Sequence, residues 1–103
     1  MQFDVYENND PSSNDVIPYL LDVQHDLHSS LATRTVVPLV MTYAEKDQIK
    51  RLCPVFNIQG HPVMMSTPEI AGYPARDLGR KVTSLSNQRT EILAAIDFLL
   101  SGF

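Results

Sequence analysis

Apolar and polar residues alternate at the start of the chain, with Phe3 and Val5 set among Gln2, Asp4 and Glu7. A period of two is the mark of a half-buried strand. The stretch ENNDPSS from Glu7 then breaks the alternation. Its short polar side chains compete with backbone pairing, which predicts a mobile loop over about residues 8 to 18. Tyr19-Leu20-Leu21-Asp22-Val23 resumes a strand. The run from Thr35 to Met41 is β-branched and apolar, but Pro38 has no N–H for a ladder, so it is expected at an edge or bulge. Residues 53–58 form a third run, separated by Gln59-Gly60-His61-Pro62 from Val63-Met64-Met65-Ser66-Thr67. That spacing predicts a hairpin with a four-residue loop. Gly72 and the prolines at 68 and 74 allow only short pairing there, and Val82 belongs to one more strand. Several short strands with turns between them predict a mainly β fold, a small antiparallel barrel or curled sheet.

The end of the chain differs. From Ser86 it reads SNQRTEILAAIDFLLSGF, with Ile92, Ile96, Leu99 or Leu100, and Phe103 at helical intervals. Ser86 is the expected N-cap. Arg89 stands where a capping box has Glu or Gln, and Gly102 is placed to close the helix in a left-handed conformation. The stretch ILAAIDFLL carries a single charge, Asp97, so it is apolar on more than one face. One face covers the sheet. A domain this small has no second layer for the other, so the sequence predicts a homodimer with the helices at or near the two-fold axis, the alternative being a helix seated in a deep groove of its own barrel.

The 103 residues predict one domain, and no apolar run reaches the 18 or so residues of a membrane span. Met1-Gln2-Phe3-Asp4 lacks the basic-then-apolar order of a signal peptide, and the lone cysteine suits a reducing compartment; a cytoplasmic location is expected. The net charge of -4 argues against nucleic acid as the main direct partner. Charge is also uneven, because every lysine and arginine lies beyond residue 33, behind Asp4, Glu7, Asp10, Asp15, Asp22 and Asp26. That edge is either a solvated face or one that steers a basic partner.

Candidate chemistry is thin. His25 and His28 lie near Asp22 and Asp26, but no further Cys or His arrives at ligand spacing, so no metal site is assigned. Cys53, between Leu52 and Pro54, is expected to be buried and to lack a partner base. There is no Gly-rich phosphate cradle and no G-x-S-x-G. No catalytic residue and no cofactor are assigned. Of Met64 and Met65, adjacent in a strand, one is expected in the core and one within reach of a partner.

The N-terminal MQFDVY, Leu21-Asp22-Val23-Gln24 with Asp26, Val37-Pro38-Leu39, Pro54-Val55, Met64-Met65, Leu85-Ser86 and a terminal helix ending in x-Gly-apolar together resemble the CcdB toxins of bacterial toxin–antitoxin modules. The landmarks run in the family's order over nearly the whole of 1–103. The resemblance implies an SH3-like barrel with a small additional sheet and a C-terminal helix, in a homodimer that binds the DNA gyrase A subunit and traps gyrase on cleaved DNA. It implies a CcdA-like antitoxin whose disordered segment folds on the toxin, a repressor complex that touches DNA only through the antitoxin, and a part in plasmid maintenance. By position, the gyrase face would comprise Asp97, Leu100, Ser101, Gly102 and Phe103 of the tip, with Gln24, His25, Leu27 and His28 beside it. The antitoxin groove would include Tyr6, Asn9, Asp10, Ser12, Met41, Tyr43 and Met65. Two departures stand out: Ser101 occupies the position of a tryptophan anchor, and His28 replaces an apolar neighbour. The alternatives are a homologue that binds antitoxin without poisoning gyrase, and a ribonuclease toxin of the MazF or Kid type.

Overall fold

The computed structural model describes residues 1–42 and 50–102. Seven antiparallel strands form one sheet: β1 (Asp4–Glu7), β2 (Tyr19–Asp22), β3 (Thr33–Met41), β4 (Val55–Ile58), β5 (His61–Met65), β6 (Ala71–Pro74) and β7 (Lys81–Ser84). The order is β4-β5-β3-β2-β1-β7, with β6 also paired to β3, and the sheet curls into a half barrel. The expected small additional sheet is continuous with the main one through β3. The single helix of the described residues, α1 (Arg89–Ser101), follows a short 3-10 turn at Ser86–Gln88.

The nine-residue β3 is the spine. Along one edge it pairs with β2, from Tyr19↔Leu39 to Asp22↔Val36. Its other edge is shared, β6 taking Thr33 to Val36 and β5 taking Leu39 to Met41. Pro38 sits between the two, opposite Leu20. It is therefore central, not at an edge or bulge as expected. Ladder hydrogen bonds alternate sides along a strand. Val23 N donates to Thr35 O, which aims the odd residues of β3 at β2 and leaves Pro38's missing donor on the edge where the partner changes. Its carbonyl there accepts from Ser66 N at 2.9 Å.

The same alternation builds the core. Val5, Leu21, Val37, Leu39, Val63 and Met65 point to the concave face, where Ile92 and Ala95 of α1 cover them. Met64, on the opposite face, is half-buried. The β4–β5 hairpin is present with a shorter connection than expected. Ile58 pairs with His61, so the loop is Gln59-Gly60 alone, both at positive φ (53° and 85°). A two-residue turn of this hand matches the twist of the strands, and His61 and Pro62 belong to β5. Ser86 is likewise not the helix cap. It opens the 3-10 turn, and α1 begins at Arg89 with no side-chain cap.

The opposite face of β1, β2 and β3 hides charge. Asp22 is 1% exposed, and Arg34 donates to its Oδ2 from Nε (3.1 Å) and Nη2 (2.7 Å). Asp4, also buried, faces Lys81 at 3.4 Å. Removing one member of a buried pair strands the other, at a cost of about 3 to 5 kcal/mol. Arg34→Ala is expected to lower unfolding stability by that amount in a urea titration, whereas an apolar replacement of both Arg34 and Asp22 should lose clearly less.

Candidate functional site

Two exposed features carry the residues of interest. The first is the turn after β2. Asp22 Oδ1 accepts from Gln24 N at 3.0 Å and fixes the exit of the strand. A 3-10 turn follows at Asp26–His28, capped by His25, whose Nδ1 accepts from Leu27 N at 3.0 Å. His25, Leu27 and His28 are exposed, and Leu27 is 78% exposed. Gln24 is buried, with its side chain engaged on both sides: Oε1 accepts from Thr35 N (2.9 Å), and Nε2 donates to His28 O (2.9 Å). The two histidines are brought to one turn, but among the described residues no three His, Cys, Asp or Glu side chains are grouped to hold a metal.

The second feature is the end of α1. Gly102 at φ 80° closes the helix, and its N–H donates to Phe98 O at 2.9 Å, a left-handed ending that glycine adopts without a Cβ clash. Ser101 turns its hydroxyl back onto Asp97 O at 2.8 Å. Asp97, Ser101 and Gly102 are exposed, and Leu100 is 78% exposed. Phe103 lies outside the described residues. The inner side of the helix supplies Ile92 and Ala95 to the core, while Leu93 and Leu100 remain uncovered. Phe98 is half-buried, and the Arg51 guanidinium lies over its ring at 4.2 Å, a cation–π contact on the flank of α1.

The helix packs mainly against the Thr67–Glu69 turn and its own leading turn, and the Asp26–His28 turn is not among its main neighbours.

The residues expected at the antitoxin groove divide. Tyr6 is half-buried, and burial, then the charges of Asp4 and Asp22, push its phenol above the usual range. Asn9, Asp10 and Ser12 are exposed on the loop between β1 and β2, and Met41 is half-buried. Tyr43 lies outside the described residues. Met65 is fully buried in the core and offers no surface to a partner; its strand neighbour Met64 is the accessible one of the pair. Cys53 is half-buried, less enclosed than expected. Sequence reasoning missed Asn8, which organises the loop read as mobile. It is buried, its Nδ2 donates to Ser13 Oγ and Ile17 O, and its Oδ1 accepts from Asp10 N. The signal was present in the Asn and Asp of ENNDPSS, residues that bond the backbone two positions on.

Among known proteins, a similar solved structure is the Mycobacterium tuberculosis toxin MazF-mt6, at 21% identity, a TM-score of 0.65, and coverage of 80% of this chain and 84% of that one. At that identity the likeness is one of fold, a curled sheet closed by a helix that a toxin also uses. The family model described as CcdB protein matches residues 2–102, and the chain belongs to that family, one of toxins of toxin–antitoxin systems. No described helix is long and apolar enough to cross a membrane.

Asp10 provides a probe of the loop. Its carboxyl is held below the ordinary 3.8, first by the Ser12 hydroxyl and then by the Ser12 N–H. Because the shift is downward, the stabilising effect is present above the ordinary value and is lost as pH falls through the lowered one. Ser12→Ala removes the larger cause, so the NMR titration of Asp10 is expected to move up towards 3.8.

Proposed function

We propose that this chain is a gyrase-directed toxin that acts as a homodimer by binding alone, with a CcdA-like antitoxin as its neutralising partner and DNA reached only through the antitoxin complex. The observation that carries the reading is the helix tip, where the exposed Leu100 is followed by a glycine-closed end on a helix whose inner side, Ile92 and Ala95, packs into the core. An apolar side chain held in solvent at the end of a fixed element is surface that a protein partner would remove from water. The gyrase face would combine Asp97, Leu100, Ser101, Gly102 and Phe103 with His25, Leu27 and His28 of the turn after β2. For the antitoxin, Tyr6, the Asn9–Ser12 loop, Met41 and Met64 offer accessible surface. Family membership supports the toxin–antitoxin setting.

A second reading is a family member that keeps the dimer and the antitoxin but no longer poisons gyrase. Ser101 favours it, since its hydroxyl is bonded to Asp97 O and the position has no aromatic ring to bury. A supercoiling and cleavage assay with purified gyrase separates the two. The gyrase reading expects stabilised cleaved DNA, and unimpaired supercoiling at saturating protein favours the silent homologue. Incubation with total RNA tests the non-enzymatic claim, which sequence-specific cleavage would overturn.

Two variants locate the tip. Deleting Ser101 to Phe103 is expected to abolish binding to a gyrase A fragment while sedimentation still shows a dimer. Ser101→Trp is expected to tighten binding by about 1 to 2 kcal/mol, measured by calorimetry.

A further inference from the structure

The turn that carries Leu27 has no buried residue of its own, yet it is anchored from three directions. Asp22 holds Gln24 N, and Arg34 in turn holds Asp22. From the N-terminal segment, Gln2 N donates to Asp26 Oδ1 at 2.8 Å and Gln2 Nε2 to Val23 O at 3.1 Å. The third anchor is the Gln24 side chain, which joins Thr35 of β3 on one side to His28 O on the other. Buried polar groups are costly unless fully paired, and here they are paired in order to hold a segment that adds nothing to the core. What the segment displays is a leucine in solvent.

We infer that Gln24 is a positioning residue: its buried amide clamps the Asp26–His28 turn to β3 and acts on the protein partner through Leu27, without touching that partner itself. The inference rests on the turn belonging to the gyrase face. Its physical basis is preorganisation. A loop already fixed in its bound shape loses less conformational freedom on association, so a small apolar contact contributes more of its burial to affinity. Gln24 is suited to the task because one planar amide supplies an acceptor for β3 and a donor for the turn. Glutamate keeps the first and loses the second.

The test is a two-residue cycle with the full chain and a gyrase A fragment. Gln24→Ala is expected to weaken binding about tenfold in the otherwise unchanged protein. In a Leu27→Ala background the same change should cost less than twofold. A purely structural role would cost the same factor in both backgrounds, and that result overturns the inference. Gln24→Glu should behave like Gln24→Ala, having lost the donor to His28 O.

Amide hydrogen exchange reads the clamp without gyrase. In Gln24→Ala, exchange at Leu27 and Ser29 should rise at least tenfold while Val37 and Leu39 in β3 stay protected. Unchanged exchange at the turn would show that Gln24 does not hold it. If the unmodified protein fails to bind gyrase, the gyrase reading falls, and the exchange result alone decides whether Gln24 positions the turn.

Discussion

A carboxylate as enclosed as Asp22 is costly to bury unless a counter-charge and donors surround it, and the residues around Asp22 tie together distant parts of the chain. Arg34 comes from β3, Gln24 N from the strand exit, and the backbone carbonyl of Asp22 accepts from Phe3 N ahead of β1. The N-terminal segment, the two central strands and the exposed turn are thus tied to one buried residue, the first through its backbone carbonyl and the others through its carboxylate. Burying a pair adds little net stability, because desolvation opposes attraction. Its effect is on geometry, since any other register of β2 against β3 would leave Arg34 or Asp22 unmatched.

The helix resolves a second tension. Its sequence is apolar on more than one face, while one chain provides one concave surface to cover. Ile92 and Ala95 take that surface, and the Arg51 guanidinium shields the Phe98 ring. The uncovered remainder, Leu93 and Leu100, is surface that a monomer gains nothing from keeping apolar. A helix with this division suits an element that is core on one side and interface on the other.

How far the sequence disclosed this depends on the range of the forces involved. Alternation placed β1, and apolar or β-branched runs bounded by turn formers placed β2, β3, β4 and β5, with Val82 alone marking β7, because both signals are local. Alternation also established that Met64 and Met65 point apart, but not which points inward, since that phase is set by pairing with β3. Pro38 was placed wrongly for a non-local reason: the missing donor is visible in the sequence, whereas the exchange of β6 for β5 opposite it is not. His61-Pro62 resembled turn residues because Gln59 gave no sign of adopting positive φ. Asp22, Asp4 and Asn8 looked like surface residues, and each is buried through partners that only the folded chain supplies. Of the carried-over positions, Leu27 and Leu100 are exposed, whereas Gln24 is buried with its side chain bonded to Thr35 N and His28 O, which no local pattern discloses.

The size of the exposed contacts bears on how such a protein could grip a large enzyme. Complete burial of a leucine contributes about 1.5 to 3 kcal/mol. Leu27 and Leu100 together therefore fall short of the roughly 8 kcal/mol of a micromolar complex, before the cost of association is subtracted. Ser101 adds little, its hydroxyl already bonded within the helix. These two leucines alone make one copy too weak a ligand. Two copies related by a two-fold axis present each leucine twice to a symmetric target, and the second set engages at high effective concentration. With serine at position 101 in place of an aromatic anchor, the proposed gyrase binding of this chain would depend on dimerisation more heavily than that of a relative that has one.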